Sequence, residues 1–306
     1  MTRILVAGAT VAALIISVTA WFAAAAQPDP SPTETPFDPV AMMTQTADVL
    51  PPSDDFDIPP LTEAQLTATH AIYEAGLAQG NRRDSFILIG DSNTLLPKFL
   101  QAFASGNYEL GRYAYLQPLI DAYNLAGAFD AIYPSAEHGM TMHMLLDPLF
   151  VNPAVCPNAH HLLDCALDLY HPSVAIIYMG TYDTCHTDYD TYVASFDEAM
   201  RILTTRGVIP ILTTYAVALS DGCWEAAPLY TQTIRDMAAK YRVPLIDLQE
   251  AARVLPDDGM QADGWHLSWP ENNFTSFVSE QYRYGNTLRE LLTLEMLYIL
   301  RRDVMQ

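Results

Sequence analysis

The sequence predicts an α/β domain whose parallel sheet is covered by helices on both faces. Short, β-branched apolar runs recur at Phe86 to Ile89, Val174 to Met179, Val208 to Thr213 and Val243 to Asp247. Helical stretches, Tyr189 to Arg206 and Pro228 to Tyr241, alternate with the later runs. Each run has consecutive apolar residues rather than one at every second position, as in strands buried on both faces. Such sheets bind ligands outside the carboxyl ends of their strands, and Ser92, Gly180 and the segment after Thr214 fall on that side.

The chain opens with Arg3 and an almost unbroken apolar stretch from Ile4 to Ala25, closed by small residues before Gln27. Residues 1–26 therefore read as an export signal. The stretch is nearly long enough to cross a bilayer, so an uncleaved N-terminal anchor is the alternative, and only that form would engage a membrane. Residues 27–60 are rich in Pro, Asp, Thr and Ser and read as an extended tether. Residues 61–306 form the folded domain. Its first helix is expected over Thr62 to Gly80, with Thr62 and Glu63 as the start signal and Gly80 as the stop. A second strand is expected at Ile132-Tyr133, within an aromatic, poorly periodic segment from Gly106 to Ala136. The last helix is expected over Asn286 to Arg302, with Thr287 and Glu290 in capping-box spacing.

Half of the 306 residues are apolar, enough to bury a full core. The formal charge is −21, and removing residues 1–26 takes away Arg3 alone and makes it −22. So acidic a surface repels phosphate backbones and anionic lipids, which argues against nucleic acid as a partner. Four cysteines suit an oxidising compartment. Cys156 and Cys165 bracket a short loop and are expected to pair locally. Cys185 and Cys223 each follow a strand at the same sheet edge, where a bridge would brace the loops. No pair has Cys-x-x-Cys spacing, so zinc is not expected.

The first apolar run ends in Gly90-Asp91-Ser92, and Asp263-Gly264-Trp265-His266 stands near the end of the chain. These residues supply a nucleophile, a base and an orienting acid for acyl transfer. A neutral imidazole takes the proton from the serine hydroxyl, and a carboxylate fixes the tautomer and stabilises the cation.

The order Ser, Asp, His, with the last two in one short loop, resembles the SGNH (GDSL-type) hydrolases, a family of esterases and lipases. The resemblance rests on four blocks: Gly90-Asp91-Ser92-Asn93, Gly139 in Glu137-His138-Gly139-Met140-Thr141, Gly180-Thr181-Tyr182-Asp183, and Asp263 to Ser268. It implies a flavodoxin-like three-layer α/β/α fold with a parallel sheet, and a triad of Ser92, His266 and Asp263. It also implies an oxyanion hole built from the N–H groups of Ser92 and Gly139. The third block departs from the family pattern. Tyr182 stands where the family carries an asparagine whose amide helps hold the oxyanion. A phenol can still donate, so Tyr182 is the third candidate for the oxyanion hole, but it reaches several bonds further out and suits equally a narrowed acyl pocket or a decayed site.

Each of these residues also has a plainer reading. Gly-Asp-Ser is a common turn, with Ser92 as cap of a helix beginning near Leu95. Asp263-Gly264 is a turn-forming pair, and Gly127 is the rival to Gly139. His138 and His143, five apart with no carboxylate between them, do not make a zinc pair. Asp183, Asp188 and Asp190 lack calcium-loop spacing and read as a solvated loop, with Asp183 in a structural hydrogen-bonding role. Trp224, Trp265 and Trp269 suit either sugar stacking or the core. The expected function is an exported serine esterase cleaving short acyl esters or O-acyl groups on carbohydrate, with no metal or organic cofactor. A catalytically weakened binding or surface protein and an O-acyltransferase are the alternatives.

Overall fold

A computed structural model of the chain describes residues 58–95, 99–272, 274–278 and 283–306. The expected signal or anchor, and nearly all of the expected tether, lie outside the described residues. Helix α1 (Glu63–Ala78) begins at a capping box in which the Thr62 hydroxyl accepts the Gln65 N–H and the Gln65 side chain accepts the Thr62 N–H. Strand β1 (Arg82–Gly90) follows, with its last six residues buried. The short helices α2 (Ser92–Leu95) and α3 (Gln101–Ser105), strand β2 (Tyr108–Glu109) and helices α4 (Gln117–Leu125) and α5 (Met142–Leu146) come next. Helix α6 (Leu162–Tyr170) leads into β3 (Pro172–Tyr178), α7 (Asp183–His186), α8 (Tyr189–Thr205) and β4 (Ile209–Thr213). Helix α9 (Ala227–Tyr241), β5 (Leu245–Ile246), α10 (Leu248–Ala252), β6 (Thr275–Ser276) and α11 (Gly285–Asp303) complete the fold.

The main sheet is parallel in the order β1-β3-β4-β5, with Leu88 opposite Ile176 and Ile176 opposite Ile211. Every residue of β3 and β4 is buried. Successive side chains point to opposite faces, so both faces must be covered. Helices α4 and α6 pack against β1, α1 against β3 and β4, α8 and α9 against β4, and α11 against β5. This is the expected three-layer α/β/α arrangement.

The expected strand at Ile132-Tyr133 does not form. The chain instead meets the free edge of β1 at one parallel bridge, Gly90 to Ala136, where Gly90 N–H donates to Ser135 and Glu137 N–H donates to Gly90. Pro134 has no N–H to extend the ladder, Ile132 is 89% exposed, and the Tyr133 hydroxyl turns back to the Ala128 carbonyl. The segment thus flanks β1 through that one bridge, and the sheet keeps four strands in the order β1-β3-β4-β5.

Two expected caps are replaced. The helix expected near Leu95 starts at Ser92 itself, and Asp91 Oδ1 accepts the Asn93 N–H at 2.9 Å. Thr287 and Glu290 lie buried inside α11, which starts after Tyr284 with no side-chain cap. Glu290 instead accepts the Leu100 N–H and the Thr275 hydroxyl, a tertiary use that its spacing from Thr287 does not reveal.

Candidate active site

The site is built where β1 ends. A Cβ on Gly90 would stand 1.9 Å from the Thr94 Oγ1 and 3.1 Å from the Tyr178 carbonyl oxygen, so only glycine lets α2 close onto the strand tip. That tight turn brings Ser92 to the sheet edge, 6% exposed. Its Oγ lies 2.9 Å from His266 Nε2, and His266 Nδ1 lies 2.7 Å from Asp263 Oδ2. The three residues expected to act together are thus in one hydrogen-bonded line.

The turn reading of Asp263 holds as well. Its Oδ1 accepts the N–H groups of Trp265 and His266 at 3.1 and 3.0 Å, while Oδ2 faces the imidazole. Gly264 takes a left-handed φ of 80°, which the turn requires. Partial burial pushes the Asp263 pKa up, but the His266 N–H, the imidazole and the Trp265 N–H outweigh it and hold the carboxyl below its ordinary value. The carboxylate is therefore charged at neutral pH. With Nδ1–H donating to it, Nε2 is left as the acceptor for the serine proton.

A layer that the sequence did not reveal fixes this line. Asn93 is fully buried; its Nδ2 donates to the Trp265 carbonyl at 3.2 Å and its Oδ1 accepts the Leu267 N–H at 2.8 Å. Its own carbonyl accepts from Arg289 Nη1 at 2.9 Å, and Arg289 Nη2 donates to Thr94 Oγ1. The Arg289 guanidinium lies 3.8 Å from the Phe99 ring centre and 4.1 Å from that of Tyr178. Burial lowers its pKa to about 10, which leaves it charged at neutral pH. Burial raises the Asp91 carboxyl, opposed by the Asn93 N–H and by Arg289. The only sequence signal for this layer was an Arg-Glu pair set inside the Leu-rich face of the last helix.

Gly139 enters from the outer edge, two residues after the Glu137 N–H bonds the Gly90 carbonyl. It adopts φ 68°, and a Cβ there would stand 3.3 Å from Tyr182 Cζ, so the phenol lies directly against it. On its other side Tyr182 stacks on His186, with ring centres 3.7 Å apart and planes within 7°. Among the described residues, no backbone carbonyl accepts the N–H of Ser92 or of Gly139. Asp183 is buried and accepts the Met142 N–H at 2.9 Å; burial raises its pKa to about 7 despite that bond. Asp188 caps α8 through the Thr191 N–H, and His161 caps α6 through the Asp164 N–H.

Two disulfides form, in the expected pairs. Cys156 and Cys165 have Cα atoms 5.5 Å apart, and Cys185 and Cys223 have theirs 5.2 Å apart. The second joins the loops after β3 and β4. The Trp265 ring lies 3.8 Å from that of His266 and 6.2 Å from that of Trp224, an aromatic ledge beside the imidazole.

No protein-family model matches the chain, and no curated protein matches it. Solved structures similar to it include a lipase/acylhydrolase from Enterococcus faecalis, 18% identical, covering 70% of this chain and 95% of that one with a TM-score of 0.41. A GDSL-like lipase from Bacteroides thetaiotaomicron is 12% identical, with coverage of 77% and 98% and a TM-score of 0.41. An acetylxylan esterase from Geobacillus stearothermophilus is 14% identical, with coverage of 72% and 93% and a TM-score of 0.40.

Proposed function

We propose that this protein is an exported serine esterase of the SGNH type that hydrolyses carboxylic esters. The observation that carries the reading is the unbroken line from Ser92 Oγ through the His266 imidazole to the Asp263 carboxylate. In the first half-reaction Ser92 Oγ attacks the ester carbonyl carbon as its proton passes to His266 Nε2. The carbonyl oxygen becomes an oxyanion facing the N–H groups of Ser92 and Gly139. Collapse of the tetrahedral intermediate expels the alcohol, which takes the proton from His266, and Ser92 is left acylated. Water then repeats the sequence, giving the free acid and the original enzyme. Asp263 keeps the tautomer and stabilises the imidazolium throughout.

The Trp265 and Trp224 ledge supports a carbohydrate or other flat-faced alcohol as the leaving group. The apolar N-terminal stretch and the two disulfides support an extracytoplasmic location, either secreted or tethered. A second reading, a catalytically weakened binding protein, is favoured by the Tyr182 phenol packed against Gly139.

Hydrolysis of p-nitrophenyl acetate, with Ser92→Ala alongside, separates the two. Activity lost in the variant, together with loss of fluorophosphonate labelling, is the expected result. A folded wild type that neither hydrolyses esters nor takes the label would favour the binding reading.

A further inference from the structure

A cavity of about 540 Å³ lies on the outer side of β1. This is within the range of small-molecule sites, about 300–1,000 Å³. Its lining includes Phe86 and Leu88 of β1 with Phe129 and Tyr133, together with Leu95 and the exposed His138. Those last two residues relate it to the chemistry. Leu95 is one helical turn past Ser92, and His138 immediately precedes Gly139. The cavity exists because the segment beside β1 makes a single bridge at Ala136 instead of a full strand, leaving the lower part of that edge unfilled.

We propose that this cavity is an alkyl-chain site that takes the acyl group of the substrate, so that the preferred esters carry medium-length acyl chains, not acetyl. The assignment of the chain as an acyl group rests on the esterase reading above. Phe86 and Leu88, the two strand residues in the lining, span about 7 Å at the usual rise per residue, and a volume of about 540 Å³ leaves room for a chain well beyond acetyl. The lining offers a hydrocarbon what it needs and offers a sugar little. The Tyr133 hydroxyl is committed to the Ala128 carbonyl, and Thr94 Oγ1 accepts from Arg289. Asp130 and His138 are exposed at the surface end.

The test is a chain-length series of p-nitrophenyl esters, from acetate through hexanoate and octanoate to decanoate. A bound methylene is worth about tenfold or more in such discrimination. The expected result is a kcat/KM for octanoate at least about tenfold above acetate, with Ala131→Trp removing that advantage and leaving acetate within about twofold. Gln101→Trp, at another residue of the cavity lining, repeats the check. A kcat/KM that falls steadily from acetate, or variants that slow every ester alike, would overturn the proposal. Calorimetric titration of the Ser92→Ala protein with 1-octanol reads the site without chemistry. Saturable binding that disappears in Ser92→Ala/Ala131→Trp is expected, and no binding overturns the site. Octanol binding with no ester turned over by the wild type would sink the esterase reading and leave the alkyl-chain site standing.

Discussion

Asn93 holds His266 by both of its peptide neighbours, accepting from the Leu267 N–H at 2.8 Å and donating to the Trp265 carbonyl at 3.2 Å. Because Asn93 directly follows Ser92, one side chain sets the distance between the proposed nucleophile and its base. Asn93→Ala leaves a buried N–H and C=O without partners, at a cost of about 1–3 kcal/mol for each such group. Thermal denaturation should show that loss, and the rate of fluorophosphonate labelling should fall by about tenfold or more because the imidazole is no longer held in line. Labelling at the wild-type rate in a destabilised variant would show that Asn93 serves the fold alone.

Tyr182 bears on the rate in a different way. Its ring lies against Gly139, and one oxyanion donor is worth about two to three orders of magnitude in turnover. Tyr182→Asn puts a shorter amide donor in the block and uncovers the glycine. Turnover of p-nitrophenyl acetate should rise, by about tenfold at least. A fall would mean that the phenol itself takes part in binding or catalysis.

Glu290 ties stability to pH. Burial raises its pKa from 4.5 to about 7, against the bonds from Thr275 and Leu100. The folded state therefore holds this proton more tightly than the unfolded chain does. The resulting stabilisation is complete below 4.5 and is lost as pH rises through about 7. Asp183, also raised to about 7 by burial, acts in the same direction from its own lower starting point. Melting temperature should fall across this window, and Glu290→Gln should flatten part of the fall. A variant with the wild-type slope would remove Glu290 as a source.

The disulfides differ in how much chain they enclose, with sequence separations of 9 and 38. Loop entropy alone assigns about 3 kcal/mol to the first and about 4 kcal/mol to the second. Replacing Cys185 and Cys223 with serine should therefore lower stability more than replacing Cys156 and Cys165. It should also slow ester hydrolysis, because Cys185 lies three residues after Tyr182. Non-reducing peptide mass mapping should find these two pairings and no others.

The Gly90-to-Asn93 and Asp263-to-His266 blocks were legible because their geometry is local in the chain. Gly90 to Asn93 is a strand tip and turn, and Asp263 to His266 is a turn whose carboxylate both caps the loop and faces the imidazole. The apolar runs likewise specified buried parallel strands, since continuous hydrophobicity has no other use in so short a segment. Tertiary structure decided the rest. Thr287 and Glu290 have capping spacing, yet Glu290 is drawn to Leu100 and Thr275, partners 190 and 15 residues away. Ile132-Tyr133 has strand composition, yet Pro134 stops the ladder at one bridge and leaves a cavity beside β1. The roles of Asn93 and Arg289 emerge only when segments 172 and 196 residues apart in sequence meet. Spacing along a chain encodes local hydrogen bonds and the periodicity of burial. It does not encode which distant groups a buried polar side chain must find once water is gone.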